Sequence, residues 1–599
     1  MLTVAVEAAV LDYRSSGYLS RAINEALSVL PHQYLNSIPD VVTIDEVSLK
    51  SDELFQSEDL CKIDEGVQFG MTKKFHISIS SKLVQLAEKN TNVFKCGHKT
   101  FRKLLKAVIV HELTHVKDNK ERISLDPDFQ RIVGMKKVTS NSKKRLTNQN
   151  TLYSPDAYEF VNLEEALAVN VEYLVLDTEF ECRKPATATF LSKRLGIPLR
   201  GKCQKNYKVI AQSSFLEDNY QTFFSIDPKR VYQVHYLFAG KGRALMSRWG
   251  HAMFRLIVCA PFRKVAGPEC LDDVSHHLAL SYRAYMSDIN ISYAKGVFGG
   301  YPSQLFIMRY LEVQQEYTKF ELRDLFSIPL KMSSVQKKEF LDLTLERYWT
   351  YQGKYYFIDN NCGTETVKHL AVALEDEESK LIGSITPLRI YNDIMNQKNN
   401  LMVEKRLLIQ SMFNDINDSY QFLKKYLPSF NEKRLDKFLK KSTATKRLPE
   451  YRDLIEASRS MDIATRKEIA IKLVHFERYL ASRFLIEFPK KVLAKMNKDE
   501  GLKAEVMKMG ETLKLLSVQP WQVIKPVYGV PTAPEFEIQF PRFKEKRNSD
   551  LKASMESQMI NLQNILGKKH FEKELSELEK LKEIKTITSE FMTEISNIL

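Results

Sequence analysis

The sequence predicts a multidomain α+β protein, and three observations carry that expectation. The chain has 599 residues, too many for a single hydrophobic core. Residues 231–330 are built from short apolar, aromatic-rich runs, whereas nearly everything beyond 400 repeats Leu, Lys, Glu, Ile and Met at three- and four-residue spacing. Ahead of both, an apolar run leads into His111-Glu112-Leu113-Thr114-His115, a pattern that fits a buried helix. Hydrophobic residues make up 44% and charged residues 27%, the ordinary balance of folded globular domains.

Taken in order, residues 1–100 mix short helical and strand-like runs, and His76-Ile-Ser-Ile-Ser80 alternates as a strand should. Residues 117–155 are polar and basic and end at the turn signal Ser154-Pro155-Asp156, which predicts a long surface excursion. Residues 162–180 return to a helical pattern. Prolines 520, 526, 531, 534 and 541 then predict an extended connection, packed through Trp521, Tyr528, Phe536 and Phe540. A last helix is expected over 548–597, with Leu551, Met555, Leu562, Ile565, Phe571, Leu575 and Leu578 on one stripe that packs in cis or forms a coiled coil, the interruption at Gly567 favouring the former. The expected divisions are 1–205, 206–395, 396–518, 519–547 and 548–599.

The net charge of +14 favours anionic surroundings such as lipid head groups or cell-wall polymers. The lysines are spread along the chain with no aromatic-basic recognition motif, so no nucleic acid partner is expected. No apolar stretch approaches the ~20 residues of a membrane span. Met1–Leu11 lacks a basic start and carries Glu7, so it does not read as a signal peptide. That leaves a cytosolic protein, or an exported one whose signal lies upstream. The seven cysteines favour export: Cys61/Cys96, Cys182/Cys203 and Cys259/Cys270 are neighbours along the chain, and Cys362 is left over.

Two histidines four residues apart share a helix face and suit one Zn²⁺, so His111 and His115 are candidate ligands. Glu112, beside the first, is the candidate base toward water at such a metal. A third ligand is expected downstream, in Asn162-Leu-Glu-Glu-Ala-Leu-Ala-Val-Asn-Val-Glu-Tyr173. Glu165 is the choice, because Ala166 and Ala168 let this helix approach the first. Glu164 and Glu172 are alternatives, and Glu172 also fits a partner behind a histidine. A structural role for Glu165 stands beside these, as the third residue of a capping box begun by Asn162.

A second constellation surrounds Cys362, in Tyr355-Tyr-Phe-Ile-Asp-Asn-Asn-Cys-Gly-Thr364. A helix is expected from Thr364 onward, and a helix start lowers a thiol's pKa. Gly363 allows close substrate approach, and the N–H of Gly363 or Cys362 suits an oxyanion hole. His251, in Trp249-Gly-His-Ala-Met-Phe-Arg255, is the candidate base, with His235, His276 and His277 as rivals. Asn360 and Asn361 fit turn-shaping roles, and Tyr355, Tyr356 and Phe357 read as core.

The order of these motifs, His first and a helix-opening Cys later, resembles permuted papain-like enzymes. More closely, residues 231–395 resemble the N-terminal periplasmic domain family of lipoprotein intramolecular transacylases (Lnb). Arg248-Trp-Gly-His-Ala-Met-Phe-Arg255, the aromatic-rich middle and Tyr356-Phe-Ile-Asp-Asn-Asn-Cys-Gly-Thr364 carry the likeness. Gly363 stands where the family usually has Ala. The resemblance implies Cys362 as nucleophile, His251 as base, and acyl transfer through a thioester to an amine. Histidines on one helix and a glutamate on the next, within 100–180, resemble the gluzincin arrangement.

These resemblances imply a zincin-like helical N-terminal domain, a permuted papain-like α+β middle domain and an all-helical C-terminal region. They also imply a periplasmic or cell-envelope setting. The leading expectation is a thiol acyltransferase or hydrolase at Cys362/His251, acting on an acyl-lipid, lipoprotein or envelope peptide. A zinc metallopeptidase using Glu112 is second, and a non-enzymatic envelope-binding scaffold third. An anionic membrane surface is a further expected partner.

Overall fold

The computed structural model describes residues 2–6, 9–14, 17–36, 38, 41–49, 69–89, 98–135, 148, 150, 153–210, 223–242, 247–285, 299–357, 360–374, 386–396, 406–430, 432, 435–496, 500–504, 520–543, 545 and 571–598. Within them the chain is α+β, as the sequence predicts. Strands β1 (Leu2–Val6), β2 (Ala9–Arg14), β3 (Val41–Val47), β4 (Gly70–Lys73) and β5 (His76–Ser80) form one sheet in the order β1-β2-β3-β5-β4. The inner pairings β2/β3 and β3/β5 are parallel, and the outer strands β1 and β4 run antiparallel to their neighbours. The alternating His76–Ser80 run is β5, with Ile77 and Ile79 buried. A five-stranded sheet goes beyond the helical N-terminal unit expected.

Helices Phe101–Glu121 and Leu163–Leu176 pack against each other and against this sheet's helical layer. Leu105, Ile109, Leu113, Leu167 and Val171 share their core. The first helix starts at Thr100, whose hydroxyl accepts the Lys103 N–H, and stops at Arg122 in the left-handed region with φ 54°. The polar stretch after His115 is more ordered than expected. The helix runs to Glu121, and a further helix, Pro127–Val133, is capped by Asp126 with a proline in its first turn. Phe129, Ile132 and Val133 are buried there, so apolar residues too few to show periodicity still anchor it. Residues 136–147 of the expected excursion lie outside the described residues.

The middle unit is a seven-stranded antiparallel sheet. Beside the short pair β6 (Lys208–Ile210) and β7 (Phe223–Ser225), it comprises β8 (Val231–Ala239), β9 (His251–Val258), β10 (Leu278–Ala284), β11 (Tyr301–Arg309), β12 (Leu325–Pro329), β13 (Gly353–Tyr355) and β14 (Leu407–Ile409). The order is β13-β11-β10-β9-β8-β12-β14. Alternation decides what each face meets. Ala252, Phe254, Leu256 and Tyr282 face the helices Ser334–Thr350, Cys362–Leu374 and Pro387–Met395 through Phe340, Leu370 and Ile390. Leu237, Met253, Ala279 and Met308 face the other way, under Tyr310, Val313 and Tyr317.

Beyond 410 the described chain is helical. Met412–Leu423, Ala444–Ser458, Ile463–Met496 and Glu572–Ile598 share a core containing Ile416, Tyr451, Phe476, Ile584 and Phe591. The final helix therefore packs in cis. Leu551, Met555, Leu562 and Ile565 of its expected stripe lie outside the described residues.

The proline-rich stretch is not an extended connection. Pro520–Val523 forms a helical turn and 533–543 a helix. Together they strap the first two units. Tyr153 donates to the Ile524 carbonyl at 2.7 Å, Val530 N–H to the Arg183 carbonyl at 2.8 Å, and Arg183 pairs with Glu535 at 3.0 Å. Gly529 sits between them at φ 60°, where any Cβ would collide with the Arg183 carbonyl.

Two of the three neighbouring cysteine pairs are disulfides, Cys182–Cys203 and Cys259–Cys270. Cys362 is free and buried. Cys61 and Cys96 lie outside the described residues.

One helix of the middle unit ties everything together. Glu346 is buried and accepts from Ala186 N–H at 2.8 Å, Thr187 N–H at 3.0 Å and the Thr187 hydroxyl at 2.5 Å. It thereby caps the Pro185–Leu195 helix from another unit. Its neighbour Arg347 donates to Glu365 at 2.9 Å and to the Arg131 carbonyl at 2.5 Å. Burial pushes the Glu365 carboxyl up, but Lys368, Arg347 and the Tyr351 hydroxyl outweigh it and hold the group down at about 2.

Two outcomes are expected. Glu346→Ala leaves three donors without their acceptor, so denaturant unfolding should show a loss of about 3 kcal/mol. The folded Glu365 value lies below the ordinary 4.5, so its stabilisation is full above about pH 4.5 and is lost as pH falls toward 2. Roughly 3 kcal/mol should disappear across that window, and Glu365→Gln should flatten the slope of stability against pH.

Candidate functional sites

Helix geometry builds the first site. His111 and His115 project from one face of Phe101–Glu121, their rings 4.8 Å apart at 78°. Leu163–Leu176 crosses them and delivers Glu165. Its Oε2 lies 2.9 Å from His111 Nε2 and 3.2 Å from His115 Nε2. The three ligand atoms all fall within 4.8 Å of one another. Asn162 does cap this helix, accepting the Glu165 N–H at 2.7 Å. The backbone of Glu165 serves the cap while its carboxylate serves the histidines, so the two sequence readings describe different atoms of one residue. Glu164, the alternative, is exposed.

Glu172 is the other alternative, and the structure puts it behind the histidines. Its Oε2 is 3.3 Å from His111 Nδ1, and its Oε1 is 3.4 Å from His98 Nε2. Burial pushes the Glu165 carboxyl up, but hydrogen bonds from His111 and His115 bring it down to about 2. Glu112 is buried on the neighbouring face and accepts from the Thr72 hydroxyl at 2.6 Å. Thr72 belongs to edge strand β4, which lies along the helix; at Gly70 a Cβ would stand 2.6 Å from Glu112 Oε1. Gly70 is what lets the strand come so close.

Sequence reasoning missed His98, Thr72 and Tyr158. Tyr158 follows the Ser154-Pro155-Asp156 turn. Its ring centroid is 6.2 Å from that of His111. Burial, then the charges of Glu165 and Glu112, push its hydroxyl up to about 12. The turn signal was visible, but nothing local pointed it toward a histidine 47 residues earlier. Two nitrogens and one carboxylate oxygen, gathered and backed by a carboxylate behind one imidazole, are a donor set that suits Zn²⁺.

The second site is built at the end of the seven-stranded sheet. Asn361 starts the Cys362–Leu374 helix, its Oδ1 accepting the N–H groups of Gly363 at 2.8 Å and Thr364 at 3.1 Å. Asn360 holds the Lys354 carbonyl at 2.8 Å. Both asparagines shape the turn, as expected. The helix lies against β9, and the Ala252 N–H and the Tyr355 hydroxyl both reach the Cys362 sulfur. Tyr355 is therefore a contact of the thiol and not only a core residue. The expected low thiol pKa is reversed: burial pushes the thiol up, and the Ala252, Tyr355 and Gly363 donors with the Arg323 charge only partly offset it. A helix start cannot compensate for near-complete removal of water.

His251 opens β9 one residue before Ala252. Alternation gives it the face of Met253, and there its Nε2 meets the Ser281 hydroxyl at 2.8 Å and its ring stacks on Tyr317 at 6.0 Å. Burial, then Arg283 and Arg323, hold the imidazole well below its usual range. The two candidates thus come to the same strand end and share Arg323 as a charged neighbour. Of the rivals, His235 is held by Ser327 and Gln233, and His277 by Arg255 and the Cys270 carbonyl. His369, two turns into the cysteine helix, is buried between Tyr282 and Thr344.

Residues 118–200, which include Glu165 and Glu172 but not the two histidines, match a domain of unknown function (DUF7844). No curated protein and no solved structure matches the chain. Among the described residues no helix is long and apolar enough to cross a membrane. The segment that carries both His251 and Cys362, residues 219–397, matches the Lnb N-terminal periplasmic domain.

Proposed function

We propose that this is a cell-envelope hydrolase whose metal centre, held by His111, His115 and Glu165, cleaves peptide or related acyl bonds. One observation carries the reading: a single carboxylate oxygen lies within 3.2 Å of both imidazole Nε2 atoms. Zn²⁺ held by these three residues would supply Lewis acidity toward a carbonyl and toward water. Glu112, fixed by Thr72, takes the proton of the attacking water as the new C–O bond forms, and returns it to the leaving nitrogen as the C–N bond breaks. Glu172 fixes His111 through Nδ1. Tyr158, whose ring lies 6.2 Å from that of His111, would donate to charge that develops on the carbonyl oxygen. The envelope setting is supported by the Lnb-type periplasmic domain and by two disulfides.

A second reading keeps thiol acyl transfer at Cys362. The domain match and the cysteine opening a helix favour it. Its thiolate would attack an acyl ester, forming a thioester and releasing the alcohol; an amine would then take the acyl group and regenerate the thiol. His251 would serve as base there through Nδ1, with Nε2 held by Ser281.

Purified protein should carry about one zinc per chain, and His115→Ala should lose at least roughly tenfold in zinc affinity. Glu112→Gln should keep the metal and lose peptide hydrolysis by a factor on the order of 10² or more. Zinc retained in a His111→Ala, His115→Ala double variant would overturn the first reading. For the thiol, alkylation of Cys362 in the native protein at pH 7, followed by mass spectrometry, should run at least about tenfold slower than in denaturant. Fast labelling of the native protein, with Cys362→Ala abolishing acyl transfer, would move the chemistry to the second site.

A further inference from the structure

We propose that the end of the seven-stranded sheet next to Cys362 docks on an anionic phospholipid surface, through Trp249 and a surrounding set of arginines. Trp249 is 53% exposed, although tryptophan is a residue that folding normally hides. It lies three residues before Ala252, whose N–H reaches the Cys362 sulfur. Its carbonyl accepts the Leu388 N–H at 3.1 Å, which sets the start of the Pro387–Met395 helix beside it.

Register extends the same surface across the sheet. His251 pairs with Ala239, Ala239 with Leu325, and Leu325 with Ile409. Edge strand β14 therefore reaches this end of the sheet, and its Leu408, paired with Phe326 on the helix-covered side, is 46% exposed. Arg406 lies over Tyr391 of the Pro387–Met395 helix at 5.8 Å, joining strand and helix into one face. Arg248, Arg389 and Arg406 are all exposed on it.

The charge balance selects the occupant. Beside Trp249, Lys241 and Arg248 are both exposed, in a chain of net charge +14. Nearby, Asp324 is used by the Ser411 N–H at 2.7 Å, Glu321 pairs with Arg323 at 2.6 Å, and Asp393, one turn beyond Arg389 on the same helix face, is half-buried. An exposed indole and leucine flanked by arginines fit a lipid interface, where the ring settles at head-group depth and the cations meet phosphate. The other apolar tip, Phe262 and Val265 at 75% and 79% exposure, is less suited. Its Arg263 is already neutralised by Asp273 at 3.0 Å, and it stands at the opposite end of β9.

The test is sedimentation of the full chain with vesicles of phosphatidylglycerol and phosphatidylethanolamine, against vesicles of phosphatidylcholine alone. Binding is expected to the anionic vesicles only, with a blue shift of tryptophan emission. Trp249→Ala, and separately Arg248→Ser with Arg389→Ser, should each lower the bound fraction at least fivefold without changing the far-UV spectrum. Equal binding to neutral vesicles, undiminished binding of Trp249→Ala, or loss of binding only on Phe262→Ala would overturn the proposal. Cys362→Ala and His115→Ala should bind vesicles normally. Docking and either catalytic reading therefore fail or survive separately.

Discussion

Two adjacent residues, Glu346 and Arg347, hold the architecture together. They sit on one buried helix and point their charges at different units. Glu346 stands in for the missing acceptors at the start of Pro185–Leu195, a helix of the first unit. Arg347 grips Glu365 on the cysteine helix and the Arg131 carbonyl of the first unit. A buried charge is tolerated only when its hydrogen bonds are made. Each unit therefore supplies what the other's charge requires. The helix carrying Cys362 and the helices carrying His111, His115 and Glu165 are thereby parts of one framework.

The two sites illustrate opposite uses of burial. At Glu165 the carboxylate is drawn from water but meets two imidazoles, and remains charged. At Cys362 the donors are backbone amide, phenol and a distant guanidinium, and burial prevails. The same helix-start geometry that often activates a cysteine is here enclosed by Tyr355, Ala252 and the Asn361 cap. The first cluster surrounds its carboxylate with imidazoles; the second is held in a closed, uncharged arrangement.

Much of this was legible in the residues. The histidine spacing, Glu165 on the next helix, two neighbouring cysteine pairs, the strand at His76–Ser80 and the turn at Asn360-Asn361 each follow from local periodicity or local hydrogen bonding. What was hidden depends on long-range packing. The first sheet is assembled from strands separated by unpatterned sequence, so only one alternates clearly. The prolines of 520–541 suggested an extended chain, yet Pro520 and Pro534 sit where a helix tolerates them, in the first turn. The side of β9 on which His251 emerges was fixed by where Ala252 and Met253 found their neighbours, and a lone histidine carries no signal of that.

The strap from 520 to 543 has a consequence for how the molecule is made. Arg183, Tyr153 and Asp177 belong to the first unit, but their partners Glu535, Ile524 and Tyr528 lie about 350 residues later in the chain. Synthesis delivers the first unit long before the piece that seals it. During that interval a buried guanidinium and an apolar seam wait for partners that lie some 350 residues further along the chain. Contacts of such sequence separation form slowly. A chain cut short before 520 would thus fail at a surface far from the cut.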